Sequence, residues 1–403
     1  MSDTRPIVLA FSGGLDTSFC IPFLAERHGA PVITVTVDTG GLDDEARGRL
    51  ATRARSLGAR SHRLVDARAT YFDEVLRFLV MGNVLRGHVY PLCVGAERTL
   101  QARLVAELAQ RLSAHAVAHG STAAGNDQVR FEVALRTLAP GLEILAPVRD
   151  EGFKREDEVS YLKRQGHEFP FERATYSVNL GLWGCTIGGK ETTDTVDPLP
   201  EAAWVLTRGA FENPKAPSSH ELAFERGVPR SLDGVRLEPV PLVEKLNALG
   251  ASYGFGRGIH LGDTIFGLKG RVAFEAPAAL ALIGAHRELE KLVLSARQQR
   301  VKDSLALVYG DLVHEAQFLE PTCRDIEAFF LSSQARVTGE VKVRFSPGAM
   351  FVEGVRSPHS LRAASKAVYG EAAGEWTAAD ARGFSRMLAL PSMLYARAKG
   401  DAS

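Results

Sequence analysis

The chain has 403 residues, 45% hydrophobic and 24% charged, and its 48 Lys+Arg balance 48 Asp+Glu. The length exceeds one ordinary domain, and the composition excludes a disordered or fibrous chain. Zero net charge argues against a nucleic-acid partner, which would select a basic face.

In chain order, residues 7–11 read as a buried strand; the run is too short for a signal-peptide core or a membrane span, so a cytoplasmic protein with no membrane contact is expected. Residues 15–27 read as a helix, 32–37 as a strand rich in β-branched residues, 43–57 as a charged amphipathic helix and 61–65 as a weaker strand. Residues 71–80 and 96–112 carry helical periodicity, and 114–118 and 144–146 read as further strands. This alternation predicts a parallel sheet with helices on both faces and ligands at the carboxyl ends of its strands. The pattern changes near residue 170. Residues 195–217 read as a Pro-rich loop, and Asp233-Gly234, flanked by 220–226 and 235–238, as a hairpin turn. Residues 242–249 and 277–296 read as helices, and 337–345 and 350–355 as strands joined across Ser346-Pro347-Gly348. A last helix over 378–396 takes Thr377 as N-cap and Pro391 as a kink. Its apolar residues Phe384, Met387, Leu388, Leu390, Met393 and Leu394 exceed one stripe and need a partner surface. The expected fold class is α/β: a parallel-sheet nucleotide-binding domain over 1–168, a second α+β domain over 169–362, and a C-terminal helical arm over 363–403. The 4 cysteines, Cys20, Cys93, Cys185 and Cys323, form no CxxC pair, so no zinc or redox site is expected.

The densest signal is Ser12-Gly13-Gly14-Leu15-Asp16-Thr17-Ser18, directly after the first strand. Two glycines permit a tight turn with inward N–H groups, and the helix behind them adds free N–H groups and a positive dipole end. Ser12, Thr17 and Ser18 add hydroxyls, and Asp16 is placed to accept N–H bonds or face a magnesium ion. Neither GxxxxGK[ST] nor GxGxxG occurs. A bare Gly-Gly turn would be an ordinary cap; the whole heptapeptide between strand and helix favours phosphate binding. It is similar to the PP-loop of ATP pyrophosphatases, which cleave ATP between its α- and β-phosphates, and so predicts an adenine nucleotide alpha-hydrolase-like domain.

A second polar loop runs His119-Gly120-Ser121-Thr122 and on through Gly125-Asn126-Asp127-Gln128-Val129-Arg130-Phe131-Glu132. Read alone, it suits a ligand site and a capped helix start equally. Together the two segments resemble argininosuccinate synthases. Tyr90-Pro91-Leu92, Tyr176-Ser177 before Leu182, Tyr253-Gly254 with Gly256-Arg257, Gly267-Leu268-Lys269 and Glu275-Ala276-Pro277 match in the family's order. The resemblance implies a ligase of arginine biosynthesis that adenylates citrulline with ATP and displaces AMP with aspartate. It places ATP along Ala10, Phe11 and the heptapeptide, with the base near Val37 and Gly120 alongside. It places aspartate at Thr122, Asn126 and Asp127, and citrulline at Tyr90, Asn126, Arg130, Ser177 and Thr186. It also implies a homotetramer, with the last helix reaching across subunits. Magnesium is expected on the phosphates. Ser12, Asp16 and Asp127 are the catalytic candidates; Arg130 suits a substrate carboxylate and Asp127 an ammonium. No general base is assigned, since alignment and charge stabilisation carry such steps.

The sequence departs from the family at several points. Cys93-Val94-Gly95 replaces Gly-Thr-Ser, Ala123-Ala124 lacks the loop lysine, a ligand Glu becomes Gly262, and a ligand Tyr becomes Phe274. Two readings stay open. Either Asp263 shifts one place to meet the α-ammonium of citrulline, or the ureido substrate is N-acylated and has no ammonium to meet. A tRNA-modifying PP-loop enzyme would bring a basic patch or catalytic cysteines, and a non-enzymatic nucleotide-binding module would not turn over.

Overall fold

In a computed structural model, which describes residues 5–168, 175–365 and 374–398, the first strand lies at the centre of a five-stranded parallel sheet. The strands are β1 (Ile7–Ala10), β2 (Val32–Asp38), β3 (Ser61–Asp66), β4 (Ala116–Ala118) and β5 (Glu143–Leu145), in the order β3-β2-β1-β4-β5. Side chains alternate across the sheet. Ile7 and Leu9 join Phe19, Leu24, Ala54 and Leu162 from the helices Leu15–His28, Asp44–Ser56 and Arg155–Arg164. Val8 points the other way, to Val105, Ala106 and Leu135 from Arg98–Arg111 and Asn126–Leu138. Each such fully buried side chain contributes roughly 1.5–3 kcal/mol, and burial on both faces is why β1 and β2 read as unbroken apolar runs. β3 is an edge strand with exposed positions, which accounts for its weaker pattern. Strand order reverses between β1 and β4, so the loops after these two strands open side by side at a switch point.

Nine more strands follow: β6 (Ser177–Gly181), β7 (Gly184–Gly188), β8 (Ser218–Glu225), β9 (Val228–Leu232), β10 (Val235–Arg236), β11 (Arg257–Asp263), β12 (Lys269–Glu275), β13 (Gly339–Ser346) and β14 (Ala349–Arg356). They form two sheets, ordered β10-β9-β8-β13-β14 and β11-β12-β7-β6. The Asp233-Gly234 turn joins β9 to β10, not β8 to a later strand as expected; β8 turns back at Arg226-Gly227. Both turns have two positive φ values, 52° and 75° at the first and 52° and 77° at the second, which suits the twist of tight hairpins. The helix expected over 277–296 ends at Val293, and Ser295 caps a separate helix, Ala296–His314. Residues 71–80 lie in a longer helical run with a π-helical turn at Phe72–Leu76.

The second part is seated on the first through the loop after β2. Leu182 N donates to Thr39 O at 3.1 Å, and a β-carbon on Gly40 would lie 2.5 Å from Leu182 N, so the two backbones touch there. Trp183, fully buried, donates to Pro91 O at 2.9 Å and pins the segment around Tyr90 beneath the β6–β7 turn. The expected junction at 168/169 borders residues outside the described ones. The terminal helix Ala378–Ala398 starts with Thr377 and Asp380 capping each other reciprocally, and Pro391 stands inside it. Phe384, Met387 and Leu388 are each about two-thirds exposed, so no other described residue of this chain covers them. No described helix is long and apolar enough to cross a membrane.

Candidate active site

The loop after β1 is built from backbone. Gly13 has φ +76°, which favours glycine, and a β-carbon there would push aside the terminal methyl of Leu50, 2.3 Å away. Gly14 N donates to Ser12 Oγ at 3.4 Å, Thr17 Oγ1 donates to Gly14 O at 3.3 Å, and Ser12 Oγ and Thr17 Oγ1 lie 3.2 Å apart. Arg53 Nη1 donates to Gly13 O at 2.7 Å. Leu15 starts the helix with Asp16 in its first turn, and Ser18 Oγ is buried without a partner. Ala10 pairs with Val35, so Val37 lies two residues on, at the same mouth of the sheet. The second loop rests on the first: a β-carbon on Gly120 would lie 3.0 Å from Thr17 N and 3.1 Å from the Asp16 carbonyl carbon. Sequence reasoning did not single out Glu158, which is 1% exposed on the helix packed against Leu15–His28. Burial, and then the neighbouring Asp16, push its carboxyl up to about 8, and its Oε2 makes no hydrogen bond.

From Gly120 the chain closes a turn in which Gly125 N donates to Thr122 O, and it enters the helix Asn126–Leu138. Asn126 Oδ1 accepts from Ile265 N at 3.0 Å, which ties this helix start to the β11–β12 turn. Asp127 and Arg130, one turn apart, form an ion pair at 2.8 Å, and the other oxygen of Asp127 meets Arg98 Nε at 2.9 Å. Burial works to raise the Asp127 carboxyl, but Arg98 and Arg130 overcome it and hold it down at about 2. Arg98 Nη2 also reaches Asn179 on β6, at 3.2 Å.

One face of the β11-β12-β7-β6 sheet closes the site. The register pairs Ser177 with Gly188, Asn179 with Thr186, Thr186 with Phe274, and Phe274 with Gly258. Directly paired residues share a face, and so do residues two apart along a strand. Ser177, Thr186, Phe274, His260 and Gly262 therefore point the same way. Tyr90 packs against this face, its ring 5.5 Å from His260 and 5.2 Å from Phe274. Arg86, paired with Tyr90 by an isolated bridge, donates to Asp263 O at 2.9 Å. Arg130 reaches across to His314, donating to its carbonyl from Nε at 3.2 Å and lying 3.3 Å from its Nδ1 through Nη2.

Asp263 departs from its expected role. It is one residue from Gly262 and so belongs to the opposite face, where its carboxylate pairs with Lys269 at 2.6 Å. Of the other expected residues, the structure gathers Ser12, Asp16, Thr17 and Gly120 at one loop pair, and Tyr90, Asp127, Arg130 and Thr186 around the second sheet. Arg86, Arg98, His260 and His314 were missed. They come from four separate segments with no linear pattern, and only His260 carried a signal, as the same-face neighbour of Gly262.

Two family models cover the chain: Arginosuccinate synthase N-terminal HUP domain over residues 6–168, and Arginosuccinate synthase C-terminal domain over 176–395. A protein of Xanthomonas axonopodis pv. citri (strain 306) named argininosuccinate synthase is 40% identical over 402 residues, 98% of this chain and 96% of its own. One of Methanocaldococcus jannaschii with the same name is 38% identical over 358 residues, 89% of this chain and 90% of its own. Another, of Pyrobaculum aerophilum, is 39% identical over 390 residues, 96% of this chain and 97% of its own. With both domain models matched and such relatives aligned along nearly their whole length, this chain belongs to the argininosuccinate synthase family.

Proposed function

We propose that this chain catalyses the argininosuccinate synthase reaction, joining a ureido amino acid of the citrulline class to aspartate at the expense of ATP. The observation that carries this reading is the contact of Gly120 with Asp16 and Thr17, which brings Asn126, Asp127 and Arg130 to the phosphate loop. The ureido oxygen attacks the α-phosphorus; the bond to the bridging oxygen breaks and pyrophosphate leaves. The resulting O-adenylyl isourea has an activated carbon. The aspartate ammonium gives one proton to water or a phosphate oxygen, the resulting amine forms the C–N bond, AMP departs with the C–O electron pair, and a second proton leaves the new nitrogen by the same route. The loop N–H groups, Ser12 and Thr17 hold the triphosphate, while Arg130, Thr186 and Tyr90 align the ureido compound. Asp127 retains a lone pair on each oxygen for the aspartate ammonium.

Among the described residues no group of three or more His, Cys, Asp and Glu could cage a metal. Asp16, in the first turn of the helix behind the phosphate loop, fits magnesium, which characteristically binds substrate phosphates plus one or two carboxylates. Bound there, the ion would neutralise phosphate charge. The apolar face of Ala378–Ala398 supports a homo-oligomer, a homotetramer in our reading, and we place the enzyme in the cytoplasm.

The test is product analysis. With ATP, magnesium, aspartate and a ureido substrate, pyrophosphate and AMP should appear in equal amounts, and only when both co-substrates are present. Formation of ADP and orthophosphate would sink the reading.

A further inference from the structure

We infer that the ureido substrate this chain prefers is capped at its α-nitrogen, with an acyl carbonyl or carboxylate oxygen in place of a free ammonium, and that Arg86, His260 and His314 receive that oxygen. The inference rests on the reading above of Tyr90, Arg130 and Thr186 as the ureido site.

A free ammonium needs acceptors, and this pocket offers donors. Arg86, Arg130, His260 and His314 converge beside Tyr90. A β-carbon on Gly262 would lie 2.5 Å from His260 Nε2 and 3.5 Å from Arg86 Nη1, so the imidazole and guanidinium fill the space a side chain at 262 would take. The carboxylates nearby are committed elsewhere. Asp127 is held by Arg98 and Arg130 and turns its remaining lone pairs to the co-substrate aspartate, Asp263 faces away toward Lys269, and Asp311 is largely exposed, 3.6 Å from Arg86 Nε.

The histidines carry the argument further. Arg130 Nη2 can only donate, so His314 Nδ1, 3.3 Å away, accepts, and the hydrogen of the neutral ring sits on Nε2. That nitrogen makes no hydrogen bond of good geometry, the Asp263 carbonyl lying beside the ring, although His314 is only 7% exposed. His260 Nε2 is likewise without a partner in a residue 7% exposed. Burial, with Arg130 and Arg86 adjacent, holds His314 down at about 3, which supports the neutral ring. Arg86 Nε, which can only donate, is a further buried nitrogen without a hydrogen bond; buried donors of this kind are destabilising unless a ligand satisfies them, and an acyl or carboxylate oxygen is the complement of Arg86 and His314. An ammonium here would face two guanidiniums.

The test uses the full chain with ATP, magnesium and aspartate, following pyrophosphate with citrulline, N-acetylcitrulline, N-succinylcitrulline and 5-ureidopentanoate. One of the two acylated compounds should exceed citrulline at least tenfold in kcat/KM, mostly through KM, and should exceed 5-ureidopentanoate as well. Citrulline performing equally or better overturns the inference and leaves the ligase reading intact. 5-Ureidopentanoate matching the acylated compounds also overturns it, since the oxygen would then go unrecognised. No pyrophosphate from any of the four overturns both. Arg86→Met should lower the acylated-to-citrulline ratio at least fivefold, and titration calorimetry of the acylated compound should weaken in parallel; an unchanged ratio overturns the assignment of Arg86. His260→Ala combined with Gly262→Glu should swing the preference toward citrulline.

Discussion

Two of the polar clusters buried among the described residues differ in one respect: in one every buried side-chain nitrogen and oxygen has a partner, and in the other three do not. Around Glu290, one carboxylate oxygen accepts from Asn83 and pairs with Lys302 at 3.1 Å, and the other accepts from Gln334. Lys302 also donates to Met81 O, and the two ring nitrogens of His286 lie 2.7 and 2.8 Å from Asn83 Oδ1 and Gln334 Oε1, so the neutral ring donates to one of them. None of these side chains has an unmatched buried atom. Around Tyr90, by contrast, His260 Nε2, His314 Nε2 and Arg86 Nε are all unmatched. A closed network specifies a fold; an open one of the same polarity is poised for something from outside.

The largest effect should come from opening the closed cluster. Lys302→Met leaves Glu290 with amide donors alone, and breaking a buried ion pair from one side costs about 3–5 kcal/mol. Urea unfolding should show that loss, while kcat/KM per folded molecule stays unchanged because Lys302 lies outside the site. Activity falling without a stability loss would break the distinction. Next is His314→Phe in the open cluster. It removes an orphaned donor, while Arg130 keeps the backbone carbonyl of residue 314. Stability should change by less than about 1 kcal/mol or rise, whereas kcat/KM should fall about tenfold or more, equivalent to roughly 1.4 kcal/mol of lost alignment.

The same contrast governs what could be read from sequence. The phosphate loop was legible because it is contiguous and made of backbone, so glycines and hydroxyls spell it out. β1 and β2 were legible because burial on both faces leaves only apolar residues. The β11-β12-β7-β6 sheet was not. β6, β7 and β11 are short and carry Gly, Ser, Asn and His, residues with little strand preference, and their pairing supplies the structure. Without that sheet, Asp263 looked one step from Gly262; with it, one step is the opposite face. The terminal helix and its need for a partner surface were legible, since its six apolar residues exceed one stripe, but whether that surface belongs to the same subunit or a neighbour was not.

The last effect, seen only as a pH dependence, concerns Glu158, a third kind of buried group, unmatched at Oε2 yet beside the phosphate loop. Its carboxyl is raised from an ordinary 4.5 to about 8, first by burial and then by Asp16. A raised acid pKa means the folded state holds the proton more tightly than the unfolded chain. The stabilisation is therefore full below about 4.5 and is lost as pH rises through about 8. At roughly 1.4 kcal/mol per unit, discounted for relaxation, the native protein should lose on the order of 2 kcal/mol between pH 5 and pH 8 relative to a variant without the titrating group. Glu158→Gln keeps the shape and a neutral acceptor at every pH, so urea midpoints at the two pH values should converge in the variant and diverge in the native chain. Parallel profiles would mean that Glu158 is already ionised against Asp16, and a carboxylate pair held charged in that position would belong with the open cluster, waiting for a cation.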